Sequence, residues 1–464
     1  MLLSTAFVAT ALSYLASAAP VRRSLWTTQT CTGDSSGDIA MGADIPTVMY
    51  SYLTSSIKSE QYFTGSGNDS SINYKSLCTS QNDTSVIVVS EGASLTLNNV
   101  NLLKYGYTSD LNQASFYGVN AILNVANDSS LTAHHVNMTA HNGAAGIYSY
   151  GTGTVVTASH SSFYATGPVS HGLYASGNGT INATNFYCET YGYRSSCYSG
   201  DGPAGYLTVK DSEAFTYGHG SAVMYTLGQS YLENVHGYAD LSPWTFMDGN
   251  QEIIATGSDL EGGYLAGVVL FSSGDYANCK MNATNSILRV HGSNAAAIAV
   301  GGTGATIGLE SVIIQSESGL LLASNTSTIP QSFLEWSSPE DAGKDIDPAG
   351  ALVTITKSII NGDIVAINGS TIDWNLQEHS AWTGAAVLDN IVATGAIGVY
   401  LDATSSWTLT ADATLQNFTV ANNELINIES NGFSIYYNSS AAANSWLNGA
   451  TKALSGGGSL APMS

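Results

Sequence analysis

The sequence predicts an all-β fold: a single right-handed parallel β-helix of roughly twelve to fourteen coils, capped at both ends. Three observations carry this. The first is a repeat. Gly146-Ile147-Tyr148, Gly172-Leu173-Tyr174, Cys197-Tyr198-Ser199, Val223-Met224-Tyr225, Phe246-Met247-Asp248 and Val269-Leu270-Phe271 have middle residues 26, 25, 26, 23 and 23 positions apart. A near-constant period of about 20–50 residues marks a solenoid. The second is a column of alternating strands in the same register. Leu95 to Asn99, Leu131 to His135, Val156 to His160, Ile181 to Asn185 and Leu207 to Asp211 each end on a small polar residue or a histidine. The third is negative: apolar residues recur at period two, and no stretch sustains the i, i+3, i+4, i+7 pattern of a helix. A coil of about 25 residues built from short strands advances about 4.8 Å, so equivalent residues of successive coils form columns.

Taken in order, residues 1–18 read as a signal peptide, with an apolar run from Leu2 to Leu15 and the small-x-small pattern Ala16-Ser17-Ala18. Residues 19–23 read as a short pro-segment ending at the dibasic Arg22-Arg23. Residues 24–84 lack the period and are expected to cap the first coil, because a solenoid must cover its open end. Residues 85–430 carry the coils. Lys104 to Phe116 lengthens one of them, and a Pro- and acid-rich insertion interrupts at 328–350. Residues 431–464 are expected to supply the last coil and the C-terminal cap. No second long apolar run exists, so no membrane span is expected.

Composition narrows the function classes. Of 464 residues only 10% are charged, with 12 basic and 35 acidic; loss of Arg22 and Arg23 leaves 10 basic, hence a net charge near −25. Phosphate contacts need Lys and Arg, so nucleic acid is excluded as a natural partner. Broad binding of anionic polysaccharides is disfavoured for the same reason. Eleven N-x-S/T sequons accompany the secretory reading: Asn68, Asn82, Asn127, Asn137, Asn178, Asn182, Asn282, Asn325, Asn368, Asn417 and Asn438. Five cysteines predict two disulfides, Cys31 with Cys78 and Cys188 with Cys197, leaving Cys279 free and buried.

The coil pattern, the Ser273-Gly274-Asp275 turn, the Asp402 to Trp407 strand, the Asn431 to Tyr437 strand and the Gly-rich Leu454–Pro462 ending resemble a family of secreted right-handed parallel β-helix repeat proteins. That family has a pectin-lyase-like architecture and bacterial and fungal members. The resemblance covers roughly residues 85–462 and implies the fold; it implies no reaction.

The candidate site is the column Tyr148, Tyr174, Ser199, Tyr225, Asp248, Phe271. Strand alternation points it away from the core, where an aromatic ladder either stabilises the sheet or forms a platform for sugar rings. Tyr225 and Phe271 are expected to desolvate Asp248 and raise its pKa, as a general acid requires. Asp201, Asp248 and Asp275 lie near coil turns. A pair of them about 5 Å apart has the geometry of a retaining glycosidase, in which Asp248 and Asp275 serve as acid and base. The same acids can equally bind Ca²⁺ or simply form turns. Gly218-His219-Gly220, with Asp201 and Arg289, shares residues with pectin-type polygalacturonases, but the paired aspartates and the Arg-x-Lys of that pattern are missing. His135 and His160, with His134 or His141 beside them, read as a turn ladder or, less simply, as metal ligands. No other cofactor is implied.

The first reading is therefore a secreted carbohydrate-active or carbohydrate-binding protein. Its patch comprises Tyr148, Tyr174, Tyr225, Phe271, Arg194, Asp248, Asp275 and His219. The alternatives are a non-catalytic cell-surface or adhesion protein, and an isomerase or cyclase for a small secreted metabolite with a closed pocket under the 328–350 insertion.

Overall fold

Six strands of eleven residues set the pattern: Ser94–Lys104, Ser130–Ala140, Val155–Ala165, Thr180–Thr190, Tyr206–Thr216 and Gln229–Ala239. Each turns a corner at its sixth residue. In Thr180–Thr190, Ile181 and Ala183 point inward, Thr184 and Asn185 both point out, and Phe186, Cys188 and Thr190 point inward again. The sixth residues are Asn99, His135, His160, Asn185, Asp211 and Asn234, all with φ between +49° and +55°. That left-handed region is disfavoured for most L-residues but tolerated by Asn, Asp and His. The column that the sequence shows as strand ends is thus a column of corners. Replacing Asn185 with Val, a β-branched residue, is expected to cost about 1–2 kcal/mol in urea unfolding, and replacing it with Gly almost nothing. Equal midpoints for the two variants would contradict this account of the corner.

The corner gives each coil three legs. The first face comprises short strands such as Ile147–Tyr150, Leu173–Ser176 and Met224–Thr226. The second and third faces are the halves of the long strands before and after the left-handed residue. In the computed structural model the described residues are 57–463, apart from 110–112, 115–116, 142, 202–203, 273–275, 327–347 and 390–394. They form a parallel β-solenoid of about 15 turns with almost no helix. The expected signal peptide 1–18, the pro-segment 19–23, Cys31, Asp275 and residues 328–347 of the insertion lie outside the described residues. No helix among the described residues is long and apolar enough to cross a membrane.

The turn count exceeds the sequence expectation because pairing begins earlier and ends later. Lys58–Thr64 pairs in parallel with Thr84–Ser90, and Asp69–Asn73 and Ser76–Thr79 pair with Ser94–Lys104. Residues 58–79 therefore already form a turn inside the segment read as a cap. At the other end Ala413–Leu415, Ile435–Tyr437 and Ser459–Pro462 stack in parallel, and Lys452–Ala453 pairs antiparallel with the last of them.

Stacked columns hold the interior together. Ile147, Leu173, Tyr198 and Met224 lie in one register on the first face, all fully buried. Corners would orphan backbone N–H groups, and buried serines prevent this. Ser161 Oγ accepts from Val136 N–H, Ser212 from Phe186, Ser258 from Val235 and Ser286 from Ser258. A second serine ladder lines another corner: Ser170 Oγ accepts from Ala144 N–H, Ser195 from Ser170 and Ser221 from Ser195. In the later coils Trp382 and Trp407 stack at 4.7 Å, and their indole N–H groups donate to the carbonyls of Gly362 and Gly384.

Cys188 and Cys197 are joined by a disulfide across nine residues, as their spacing predicts, and Cys279 is free and buried. Cys78 is also disulfide-bonded. Burial, and then the charge of Asp248, push the Cys279 thiol up to about 12.

Candidate functional site

The predicted column does not survive as a solvent-facing platform. Its residues do point away from the main core, but Tyr148 is 0% exposed, Tyr174 1% and Ser199 0%. Alternation says which side of a sheet a residue lies on; it does not say whether that side is covered. Part of the cover is the coil lengthened after Lys104. Asn124 donates to the carbonyls of Tyr117 and Gly118 at 3.0 Å. Gly118, at φ +62°, passes so close that a Cβ there would sit 2.3 Å from Cγ of Tyr148.

The column also breaks in register. Tyr148, Tyr174, Ser199 and Tyr225 are aligned, but Tyr225 pairs with Phe246 and then Val269. Asp248 pairs instead with Phe271. The slip is two residues, so each side chain keeps its face while the column it joins changes. Tyr225 and Phe271 are half-buried beside Phe246 and Val269, and Asp248 is 8% exposed. His219 and Asp248 are not brought together. His219 precedes Met224 by five residues, and Asp248 follows Thr245, the partner of Met224, by three; they lie at opposite ends of the first face.

The Gly-His-Gly motif has a structural origin. A Cβ on Gly218 would lie 1.8 Å from the Gly192 carbonyl oxygen of the previous turn, and Gly220 has φ +67°. His219 stacks on Tyr193 and meets Tyr264 edge-on at 4.8 Å. Arg194, also left-handed, carries its guanidinium 5.2 Å from the Tyr193 ring. Arg289 is held elsewhere, by Asp259 and by Gln315. His135 and His160 stack at 5.2 Å with His134 beside them. Desolvation, and then the His134 and His160 charges, hold His135 below the usual histidine range. Among the described residues no group of three or more His, Cys, Asp or Glu is placed to hold a metal ion.

The surface that does assemble chemistry is the third face. Beyond the corner the outward positions carry Tyr, Glu, Asp and His on turn after turn. One run of rings crosses successive turns from Tyr164 to Tyr191 at 5.8 Å, Tyr191 to Tyr217 at 4.8 Å and Tyr217 to Tyr238 at 6.2 Å, and then skips the turn of Glu261 to reach His291, 5.7 Å from Tyr238. A shorter run beside it joins Tyr187, Phe215 and His236. None of these rings is buried.

Carboxylates are threaded through the rings. Glu189 accepts from both Tyr187 and Tyr191, at 2.7 and 2.5 Å. Asp240 accepts from Tyr238 at 3.0 Å. Glu261 lies 3.2 Å from Nδ1 of His291, whose Nε2 faces the Asp240 carbonyl at 3.1 Å. The phenols are pushed away from ionisation. The bond to Glu189, then burial, raises Tyr191; burial, then Glu189, raises Tyr187; burial, then the bond to Asp240, takes Tyr238 up to about 12. Phenol donors and carboxylate acceptors therefore alternate across the face. At its far end a cavity of about 300 Å³ opens between Glu261, Arg289, His291, Gln315 and Glu317.

The sequence carried a signal for this face. Phe186-Tyr187-Cys188-Glu189-Thr190-Tyr191 and Ala214-Phe215-Thr216-Tyr217 alternate buried and outward residues with an aromatic or acid outside.

No protein-family model, characterised protein or solved structure matches this chain.

Proposed function

We propose that this is a secreted glycan-binding solenoid and that its third face is the binding face. The observation that carries the reading is the run of rings from Tyr164 to His291, interleaved with carboxylates. Tyrosine rings offer flat apolar area to the C–H face of a pyranose with little loss of side-chain freedom. Carboxylates accept charge-assisted bonds from sugar hydroxyls. The turn-to-turn step of about 4.8 Å is close to the advance of one sugar along an extended chain, so a polysaccharide lying along the solenoid would meet equivalent groups repeatedly.

Secretion is supported by the signal-like N-terminus, the disulfide and the sequons, of which none of the eleven asparagines is buried. Kinship with secreted right-handed β-helix proteins belongs to the same reading. A hydrolytic version would use Glu261 and Glu317, which share the cavity, rather than Asp248 and Asp275. The test is a screen of the purified protein against immobilised neutral, cationic and anionic glycans, beside a variant with Tyr191→Ala and Tyr217→Ala. Binding lost in the variant supports the reading, and binding unchanged in it removes the third face from the account.

A further inference from the structure

The glycan reading leaves the class of sugar open, and the charges on the third face decide it. Four successive turns each present at least one outward carboxylate: Glu189, then Glu213, then Asp240, then Asp259 and Glu261. Glu317 adds another at the cavity. Against these six stand two arginines. Arg289 is engaged by Asp259 and Gln315, and Arg194 lies at the edge over Tyr193. With the histidines neutral the face carries two positive and six negative charges, a net of −4. The chain as a whole carries −23, so the face shares the acidic character of the whole molecule.

A neutral polysaccharide uses these carboxylates only as hydrogen-bond acceptors and leaves their charge unpaired, and a uronate polymer is repelled by them. We propose that the face takes a cationic glycan, a chain of protonated amino sugars. Each pyranose stacks against the tyrosine ladder, and each ammonium group meets the carboxylate of the turn it crosses. The rings supply the platform and the charges select among sugars that could occupy it. This inference rests on the glycan reading of the same face.

The experiment is titration calorimetry with three hexasaccharides of matched length, glucosamine, N-acetylglucosamine and glucose, at low salt and again at high salt. The wild type is compared with a chain carrying Glu189→Gln and Glu213→Gln, whose fold is checked by circular dichroism. The glucosamine hexamer is expected to bind at least about tenfold more tightly than the acetylated one at low salt. That preference should shrink as salt screens the exposed charges. The double variant should lose most of the preference, binding the glucosamine and acetylated hexamers nearly alike, because an amide accepts hydrogen bonds but carries no charge to meet an ammonium group. Equal affinities for the two amino-sugar hexamers, or a preference that the double variant retains, overturn the inference and leave glycan binding standing. No binding of any hexamer overturns the glycan reading and the inference with it.

Discussion

Replacing Lys104 with Met is expected to stabilise the protein most at and below neutral pH and to lose that effect as the pH rises toward 10. Lys104 closes the strand Ser94–Lys104 and is 0% exposed. Its ammonium donates to the Gln81 carbonyl at 2.6 Å. Burial lowers its pKa from 10.5 to about 7, although the charges of Asp83 and Glu60 pull the other way. The unfolded chain holds the proton up to about pH 10.4. Between the two values the unfolded state binds more protons, so folding stability rises with pH. The penalty is absent above the unfolded pKa, grows as pH falls through the window, and is complete below about 7. A shift of this size corresponds to about 4–5 kcal/mol. Met removes that penalty but leaves the Gln81 carbonyl unpaired, at a cost of about 1–2 kcal/mol. The net gain is therefore about 3 kcal/mol at pH 6, falling to zero or below at pH 10. Urea midpoints of both chains across that range give the difference directly. A gain that does not change with pH would mean that Lys104 folds with its proton on.

The second large effect concerns the face itself. With Tyr191→Ala and Tyr217→Ala together, glycan affinity is expected to fall by about 100-fold while the fold is kept. These rings stack on each other at 4.8 Å with 20° between their planes, at the centre of the run. Removing each takes away the apolar area under one sugar, worth about 1–2 kcal/mol. Tyr191→Ala also frees one oxygen of Glu189. Both side chains lie outside the main core, so unfolding midpoints should move little. A control on the second face, Tyr206→Ser, removes an exposed tyrosine that the reading does not use and should leave affinity unchanged. Equal losses from Tyr206→Ser and from the double variant would show that the third face has no special part in binding.

The architecture was legible because a solenoid writes its fold as a period. Ile147, Leu173, Tyr198 and Met224 are spaced by one coil, and they stack as read. The corner column from Asn99 to Asp211 was visible for a related reason: only a few residue types tolerate positive φ, so the backbone leaves a mark on the sequence. The pairing of Cys188 with Cys197 was legible from their spacing within one coil. The site was less so. When the coil period shortened by about two residues after Met224, the alignment of Asp248 with Tyr225 failed, although alternation still placed both on the same side of the sheet. Burial of Tyr148 depends on Tyr117 and Gly118, which belong to an irregular excursion, and no periodic argument reaches it. The third face was present in the strings around Tyr187 and Tyr217. It became evident as a surface only when the left-handed corner separated residues after Asn185 from those before it.

The most direct measurement is carbene footprinting by mass spectrometry, with and without a saturating oligosaccharide. It reads which side chains the sugar shields. Masking is expected in peptides covering Tyr187 to Tyr193, Glu213 to His219 and His236 to Asp240, with the second face around Tyr206 and Tyr231 labelled as before. Masking confined to the first or second face, under conditions where binding is saturated, would contradict the assignment of the third face as the site.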